Sequence, residues 1–287
     1  RAKISPFNGA KRGAIIIMDP MNGEILALAN YPTFDPNQYS LYPNSARRNW
    51  VLTDQFEPGS TFKIVTSAIA FEEGITQRNS EFFDPGFLVV EDRRLRCWRA
   101  GGHGSQTFVE AVENSCNPVF ASLALRLGQE KFYKYLKAFN FGAQTGVDFP
   151  GEARGIVPPI SRVKNVELAT IGFGQGISVT PLQLLGALSV IANGGELLQP
   201  RLVKEIRTPD GKQVIKEFEK RTIRRVISKQ TAQEFSFILE SVVENGSGNR
   251  ARVEGYTVAG KTGTAQKPQD GVYGQERIAS FIGFLQV

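Results

Sequence analysis

The chain contains 287 residues, of which 41% are hydrophobic, and it carries a formal net charge of +6 at pH 7. This length can bury a large core in one or two domains, and no run of eighteen apolar residues predicts a membrane-spanning helix. The basic residues do not interleave with aromatic ones, which disfavours a nucleic-acid platform. One histidine and two cysteines give no zinc-ligand set of the usual spacing, so we expect neither a metal nor an organic cofactor.

The N-terminal part of the chain predicts a β-hairpin followed by a loop. Residues 14–18 and 24–29 are short apolar runs, and the Asp-Pro-Met-Asn-Gly sequence between them favours a tight turn. We expect both strands to belong to a central sheet. Residues 31–49 are rich in Pro, Asn and Ser, which predicts a loop leading to the next element.

The following stretch places a serine and a lysine at the start of a helix. Pro58 and Gly59 precede Ser60, apolar residues then recur at helical spacing, and Gly74 predicts the helix end. Ser60 and Lys63 therefore share a helix face, where a neutral Lys63 amine can remove the proton of the Ser60 hydroxyl. The N–H groups at the helix start suit a developing oxyanion. Alone, this pattern is more typical of a capping serine beside a solvated lysine.

The middle of the chain predicts short strands and then two successive helices. Residues 75–106 contain four glycines and little helical periodicity, so we expect short strands and loops above the Ser60 site. Thr107 and Glu110 form a capping-box pattern that starts one helix. Pro118 predicts the first turn of the next helix, which runs to Gly128.

Ser115 and Asn117 stand between these two helices. Side chains two residues apart point in different directions on a regular helix. A sharp connection before Pro118 would let both face one pocket. The alternative interpretation is that this segment only caps the helix that follows.

The rest of the chain predicts alternating helices and strands. These elements are amphipathic helices at 129–139, 180–194 and 229–244, a Gly- and Pro-rich loop at 142–159, a hairpin of 201–207 with 212–218, and strands at 256–263 and 278–287 joined by a polar loop at 266–277.

Lys261, Thr262, Gly263 and Thr264 end the first of those C-terminal strands. A period of two places Lys261 and Gly263 on one face and the two threonines on the other. Hydroxyl groups beside a lysine suit a terminal carboxylate, and we expect Gly263 to leave room for a ligand at the strand edge. An extended peptide can pair with such an edge. Without the other motifs, this segment would be only an exposed turn.

The three short motifs together identify a family resemblance. S-x-x-K at Ser60, S-x-N at Ser115 and K-T-G at Lys261 occur in the order found in penicillin-binding proteins and class A β-lactamases. Over nearly its whole length, including residues 18–27 and 180–183, the chain resembles the transpeptidase domain of class B penicillin-binding proteins. The resemblance implies an α/β fold of the α+β type, in which helices flank an antiparallel sheet beside a helical lobe. It also implies one transpeptidase domain over residues 1–287, cut from a longer membrane-anchored protein with its catalytic part outside the cytoplasm.

The resemblance assigns a role to each motif residue. Ser60 would attack the penultimate D-Ala carbonyl of a peptidoglycan stem peptide, and an amine from a neighbouring strand would take the acyl group. β-Lactams would acylate the same serine. Ser115 would relay a proton between Lys63, Lys261 and the leaving or attacking amine, and Asn117 would hold Lys63 and a substrate amide. The N–H groups of Ser60 and Thr264 would form the oxyanion hole.

Several alternatives remain open under this resemblance. A β-lactamase or D,D-carboxypeptidase would pass the acyl group to water, and a β-lactam sensor would not turn over. Glu167 lies in a context unlike the deacylating glutamate of class A β-lactamases, and a salt-bridged surface residue is the favoured interpretation. A glycosyltransferase partner is expected, but a role in division, elongation or sporulation is not determined by these residues.

The cysteines and the histidine lie near the second motif. Cys116 stands between Ser115 and Asn117, and a similar pair of cysteines occurs in the sporulation-specific branch of the family, which this chain resembles most. The resemblance therefore implies a possible disulfide between Cys97 and Cys116, with two reduced core thiols as the alternative. His103 lies in a Gly-rich loop and is interpreted as a loop-ordering residue rather than a catalytic base.

Overall fold

We describe the fold from a computed structural model, which covers residues 10–269 and 272–286. The α-helices of these residues are α1 (Asn44–Arg47), α2 (Trp50–Thr53), α3 (Lys63–Glu72), α4 (Phe108–Glu113), α5 (Asn117–Leu127), α6 (Gln129–Ala138), α7 (Asn165–Ile171), α8 (Pro181–Ala192) and α9 (Lys229–Glu244). The strands are β1 (Gly13–Met18), β2 (Ile25–Tyr31), β3 (Glu81–Asp84), β4 (Phe87–Val90), β5 (Arg93–Arg96), β6 (Gly104–Thr107), β7 (Glu196–Leu198), β8 (Glu205–Arg207), β9 (Val214–Glu217), β10 (Thr222–Arg225), β11 (Thr257–Gln269) and β12 (Val272–Gln286). Among the described helices, none combines the length and the apolar character that crossing a bilayer requires.

The strands form antiparallel pairs, which confirms the predicted α+β class. The pairs are β1 with β2, β3 with β6, β4 with β5, β7 with β10, β8 with β9, and β11 with β12. Contrary to the expectation of one central sheet, the first and last hairpins do not pair with each other within the described residues. They bury their apolar faces on different partners, since β1–β2 packs on the cluster around Leu52 and Leu182 whereas β11 packs on α9.

Helix α3 lies at the centre of the main hydrophobic core. Every residue from Lys63 to Ala70 is buried, and α5, α8 and α9 surround the helix. A helix with no exposed face for two turns cannot be placed by an amphipathic pattern, and its position depends on packing from all sides. The turn that leads into α3, which contains Ser60, is therefore attached to a rigid element.

Most predicted boundaries match the structure. The capping boxes at Thr107 and Thr180 are present, and α9 occupies the predicted 229–244. The region 75–106 forms β3 to β6, and the region 201–218 contains the β8–β9 hairpin. Residue 287, at the end of the last predicted strand, lies outside the described residues.

Two predicted loops contain regular structure. Residues 31–49 include a 3₁₀ segment at Pro36–Leu41 and helix α1. The predicted polar loop 266–277 is mostly strand, because β11 and β12 continue their pairing almost to the turn. In this segment Lys267 and Glu276 form an ion pair of 3.1 Å between Nζ and Oε2. A polar composition therefore does not exclude strand pairing.

Candidate active site

Ser60 lies in a short 3₁₀ turn, Gly59–Phe62, that leads directly into α3. Gly59 has a φ of +55°, and its N–H donates to the carbonyl of Gly174 over 2.9 Å. A Cβ at Gly174 would lie 2.1 Å from the Gly59 carbonyl oxygen, so only glycine allows this approach. The predicted position of Ser60 at a helix start is confirmed, and Gly74 with φ +66° follows the helix end as expected.

The amine of Lys63 is buried and held by the S-x-N segment. Its Nζ lies 2.7 Å from the Ser115 carbonyl oxygen, 2.6 Å from Asn117 Oδ1 and 3.1 Å from Ser115 Oγ. Two of these atoms are carbonyl oxygens that only accept, while the hydroxyl can also donate. A protonated amine donates to all three oxygens, whereas a neutral amine donates to the two carbonyl oxygens and accepts from the Ser115 hydroxyl, so these contacts accommodate both states of Lys63.

Burial, followed by the positive charge of Lys261, lowers the pKa of Lys63 well below its ordinary value. No counter-charge among its three hydrogen-bond partners offsets this effect, since they are two carbonyl oxygens and a hydroxyl. The site thus favours the neutral amine that a general base requires.

Ser115 and Asn117 reach Lys63 because the chain turns sharply between α4 and α5. Ser115 adopts a φ of +54°, which is uncommon for a residue other than glycine and costs on the order of 1–3 kcal/mol. The Cys116 N–H donates to the Ala111 carbonyl over 3.0 Å, which fixes the turn. The prediction that both side chains face one pocket is confirmed by their shared contact with Lys63.

Lys261 lies on β11, and its side chain is fully buried. Its Nζ donates to Ser247 Oγ over 3.3 Å and lies 3.4 Å from the Thr262 carbonyl oxygen. Burial lowers the pKa of Lys261 to about 7. The alternation along the strand is as predicted, with Lys261 and Gly263 buried and Thr264 exposed. Ser247 was not predicted, since it stands alone after α9 with no motif around it.

Gly263 serves packing rather than ligand access. A Cβ at this position would lie 2.7 Å from Thr61 Cγ2 and 2.8 Å from Ser280 Oγ. The expectation that the glycine leaves room for a ligand is therefore wrong, because the turn that carries Ser60 already fills that space. The glycine allows β11 to approach the Ser60 turn closely.

Other predicted residues occupy different surroundings. The Glu167 carboxylate accepts a hydrogen bond of 2.9 Å from the Lys164 N–H and so caps α7, and the expected salt bridge is not formed with any described residue. His103 lies in the β5–β6 loop beside Asp84, with 3.0 Å between Nδ1 and Oδ2, which fits a loop-ordering role. Cys97 and Cys116 are free thiols in this structure, and their disulfide stays a prediction.

Together these elements assemble the parts of a serine acyl-transfer site. A half-buried serine hydroxyl precedes α3, a buried amine of lowered pKa follows one turn later, and a second buried amine lies on β11. Serine nucleophiles need such a base because the hydroxyl is unreactive at its own pKa. The threonine hydroxyls beyond Lys261 extend along the exposed side of the strand.

Comparison with known proteins agrees with this geometry. Residues 13–287 match the family model described as the penicillin binding protein transpeptidase domain. The chain is 49% identical over 272 residues to stage V sporulation protein D of Bacillus subtilis, covering 94% of this chain and 42% of that protein. It is 36% identical over 278 residues to penicillin-binding protein PbpB of Mycolicibacterium smegmatis, covering 93% of this chain and 42% of that protein.

A solved structure shows the same fold. Penicillin binding protein 3 of Mycobacterium tuberculosis superposes with a TM-score of 0.88 at 35% identity, covering 96% of this chain and 63% of that one. Structures of that protein in complex with aztreonam and with ampicillin match equally well. The chain spans less than half the length of the two curated relatives described above.

Proposed function

Because this chain belongs to the transpeptidase-domain family of class B penicillin-binding proteins, we propose that it is a peptidoglycan D,D-transpeptidase acting through a Ser60 acyl-enzyme. The observation that carries the proposal is the buried Lys63 amine, held by Ser115 and Asn117 one turn after Ser60. Aztreonam and ampicillin complexes of the M. tuberculosis relative support β-lactams as ligands of the same site.

In the proposed first step, neutral Lys63 takes the hydroxyl proton of Ser60 as its oxygen attacks the D-Ala carbonyl. The negative charge that develops on the carbonyl oxygen is met by the N–H groups of Ser60 and Thr264. The proton then passes through Ser115, whose Oγ lies 3.1 Å from Lys63 Nζ, to the amine of the departing D-Ala. The C–N bond breaks and an ester on Ser60 remains.

The second step reverses the proton path. The acceptor amine loses a proton to Lys63 or Ser115 as it attacks the ester, and Ser60 leaves with a proton restored. Before the first step, Lys261, Thr262 and Thr264 hold the terminal carboxylate of the donor peptide, which leaves with the D-Ala, and the edge of β11 pairs with the donor backbone. The proposed acyl transfer itself uses no metal ion or organic cofactor.

The experiment is covalent labelling with a fluorescent penicillin. We expect Ser60→Ala to abolish labelling while the circular dichroism spectrum stays unchanged. Ser67→Ala is the matched control, because Ser67 is buried on α3, the helix that follows Ser60, and its hydroxyl has no hydrogen-bond partner among the described residues. Labelling that survives in the Ser60 variant would refute the proposal.

A donor pentapeptide mimic with a D-amino-acid acceptor separates the remaining functions. Transfer to the amine supports the transpeptidase, whereas release of free acid alone indicates a D,D-carboxypeptidase. Stable acylation by penicillin without turnover of the peptide indicates a sensor, and rapid hydrolysis of penicillin indicates a β-lactamase. The product mixture is read by mass spectrometry.

We also propose the cellular setting implied by the resemblance. The domain would belong to a longer, membrane-anchored protein, act outside the cytoplasm and work beside a glycosyltransferase that supplies glycan strands. The name of the B. subtilis relative supports a sporulation role. Deletion of the gene, followed by counting heat-resistant spores and measuring vegetative growth, tests that role.

A further inference from the structure

Four metal-ligating side chains from separate segments meet directly behind the S-x-N motif. They are Asp84 at the end of β3, Cys97 after β5, His103 before β6 and Cys116 at the start of α5. One ligand atom from each lies within 4.8 Å of the others. The chain contains one histidine and two cysteines, so this group uses all of them.

The distances within the group match the edges of a metal tetrahedron. Zinc bonds of about 2.0–2.3 Å at tetrahedral angles place neighbouring ligand atoms roughly 3.3–3.7 Å apart. Here Cys97 Sγ lies 3.4 Å from His103 Nδ1, Cys116 Sγ lies 3.2 Å from Asp84 Oδ2, and His103 Nδ1 lies 3.0 Å from the same oxygen. These three separations are within a few tenths of an ångström of the tetrahedral edges, and the four ligand atoms together span at most 4.8 Å, so side-chain shifts of about 1 Å would complete the coordination shell.

The carboxylate of Asp84 is crowded by hydrogen-bond donors. Its Oδ2 faces the His103 N–H, the His103 Nδ1 and the Cys116 thiol, at 3.1, 3.0 and 3.2 Å. Its Oδ1 accepts from the Gly86 N–H over 2.7 Å, which orients the group. An ionised carboxylate oxygen with three such polar contacts is a position where a cation is electrostatically favoured.

The surrounding backbone is shaped to bring the ligands together. Gly102 has a φ of +76°, and a Cβ there would lie 2.2 Å from the Asp84 carbonyl oxygen. The Trp98 ring packs edge-on against His103 with 5.4 Å between centroids, and its Nε1 donates to the Asn114 carbonyl. The His103 side chain is only 2% exposed. The imidazole is therefore held in one orientation, as it is in metal sites where neighbouring residues orient the histidine ligand.

We propose that Asp84, Cys97, His103 and Cys116 bind one zinc ion that braces the S-x-N segment. Binding replaces the two thiol protons, which leave to solvent, by one Zn²⁺, so the net charge of the site does not change. Cys97 is half-buried and gives the ion a route in, whereas Cys116 is fully buried.

The function of the ion follows from the position of Cys116. This residue lies between Ser115 and Asn117, which hold the Lys63 amine. A metal bond to its sulfur ties that strained turn to the paired strands β3 and β6. A disulfide between Cys97 and Cys116 would use the same two sulfurs, so the metal and the disulfide exclude each other.

The sequence did not predict this site for two reasons. The cysteine and histidine spacing is outside the common zinc patterns, and Asp84 is not distinguished from other acidic residues in the chain. Only the fold places Asp84 opposite Gly104 in the β3–β6 pair, next to His103.

The test measures zinc directly. The chain is purified under a reductant and without chelators, and zinc per chain is determined by plasma mass spectrometry. We expect about one zinc per chain, with zinc affinity reduced more than tenfold in Cys97→Ser and in Asp84→Asn. Asp92→Asn is the matched control, because Asp92 is an exposed carboxylate on the nearby β4–β5 turn and should retain the metal.

A second measurement uses the unaltered chain, so it remains informative if a variant misfolds. Cobalt(II) loaded into the unaltered chain should give the visible bands of a tetrahedral thiolate site, and removal of the metal by a chelator should slow penicillin acylation reversibly. Zinc well below one per chain after reconstitution, or equal zinc affinity in Cys97→Ser, would overturn the site. Unchanged acylation after metal removal would overturn its bracing role. Metal content is measured without substrate, so its outcome is independent of the proposed transpeptidase activity.

Discussion

Asn117 Oδ1 lies 2.6 Å from the Nζ of Lys63, although the two residues belong to different helices. The amide oxygen only accepts hydrogen bonds, so it binds an N–H of the Lys63 amine and leaves the lone pair of the amine nitrogen free. The first residue of α5 thereby orients the base that follows Ser60. This contact joins two of the three motifs into one unit.

Lys63→Arg should reduce the rate of acylation by penicillin by about 10²–10⁴, the usual contribution of a general base. Arginine cannot become neutral at a workable pH, so it cannot take the Ser60 proton. Stopped-flow measurement of acylation gives the rate.

The control for that substitution is Lys131→Arg, since Lys131 is an exposed residue of α6 paired with Glu73 at 2.9 Å. It should acylate like the unaltered chain. A rate for Lys63→Arg within tenfold of that control would mean that another group accepts the proton.

Lys261→Gln should move the acid limb of the acylation rate to higher pH. A positive neighbour favours neutral Lys63, so its removal raises the Lys63 pKa, and a higher pH is then needed to form the neutral base. The rate at each pH, normalised to its plateau, separates this shift from any loss of carboxylate binding.

Lys267→Gln provides the control on the same strand, because Lys267 is paired with Glu276 near the far end of β11. Its acid limb should coincide with that of the unaltered chain. An unmoved midpoint in Lys261→Gln would show that the two amines are not electrostatically coupled.

Thr262→Val combined with Thr264→Val should slow acylation by β-lactams that carry a carboxylate. Valine keeps the β-branched shape, and each lost hydrogen bond to a charged group costs about 1.5–3 kcal/mol. The same pair of substitutions should affect a carboxamide analogue much less, and Thr257→Val on the same strand should affect neither compound. Equal losses for the acid and the amide would contradict the carboxylate assignment.

Local signals were sufficient to predict the helices that carry the site. The capping box at Thr107, the helix start at Thr180 and the apolar periodicity of α9 depend on neighbouring residues, and each was found where expected. The motif residues also came together, since Lys63 contacts both Ser115 and Asn117.

What the sequence did not predict depends on contacts between distant segments. Ser247 reaches Lys261 only because α9 packs on β11, and Asp84 reaches Cys116 only because β3 lies against the start of α5. The segment where β11 and β12 approach their turn is polar in sequence, so no period-two apolar pattern predicted its strands. The role of Gly263 was also misassigned, because the residue that packs against it, Thr61, is remote in sequence.

Gly263→Ala should impair both stability and acylation. The added methyl would lie 2.7 Å from Thr61 Cγ2 and 3.1 Å from the Thr61 N–H nitrogen, so β11 has to move away from the Ser60 turn. Overpacking of this kind costs about 1–3 kcal/mol. The same movement separates Thr264 from Ser60 and spoils the proposed oxyanion hole.

Thermal unfolding and acylation rates together test this prediction, with Gly186→Ala as the control. Gly186 lies inside α8, where an added Cβ meets no atom within 4 Å, and alanine favours a helix over glycine by up to about 1 kcal/mol. The control should therefore be as stable as the unaltered chain or more so, with the same acylation rate. If Gly263→Ala keeps both properties, β11 tolerates displacement and its close approach to the Ser60 turn is not required for reaction.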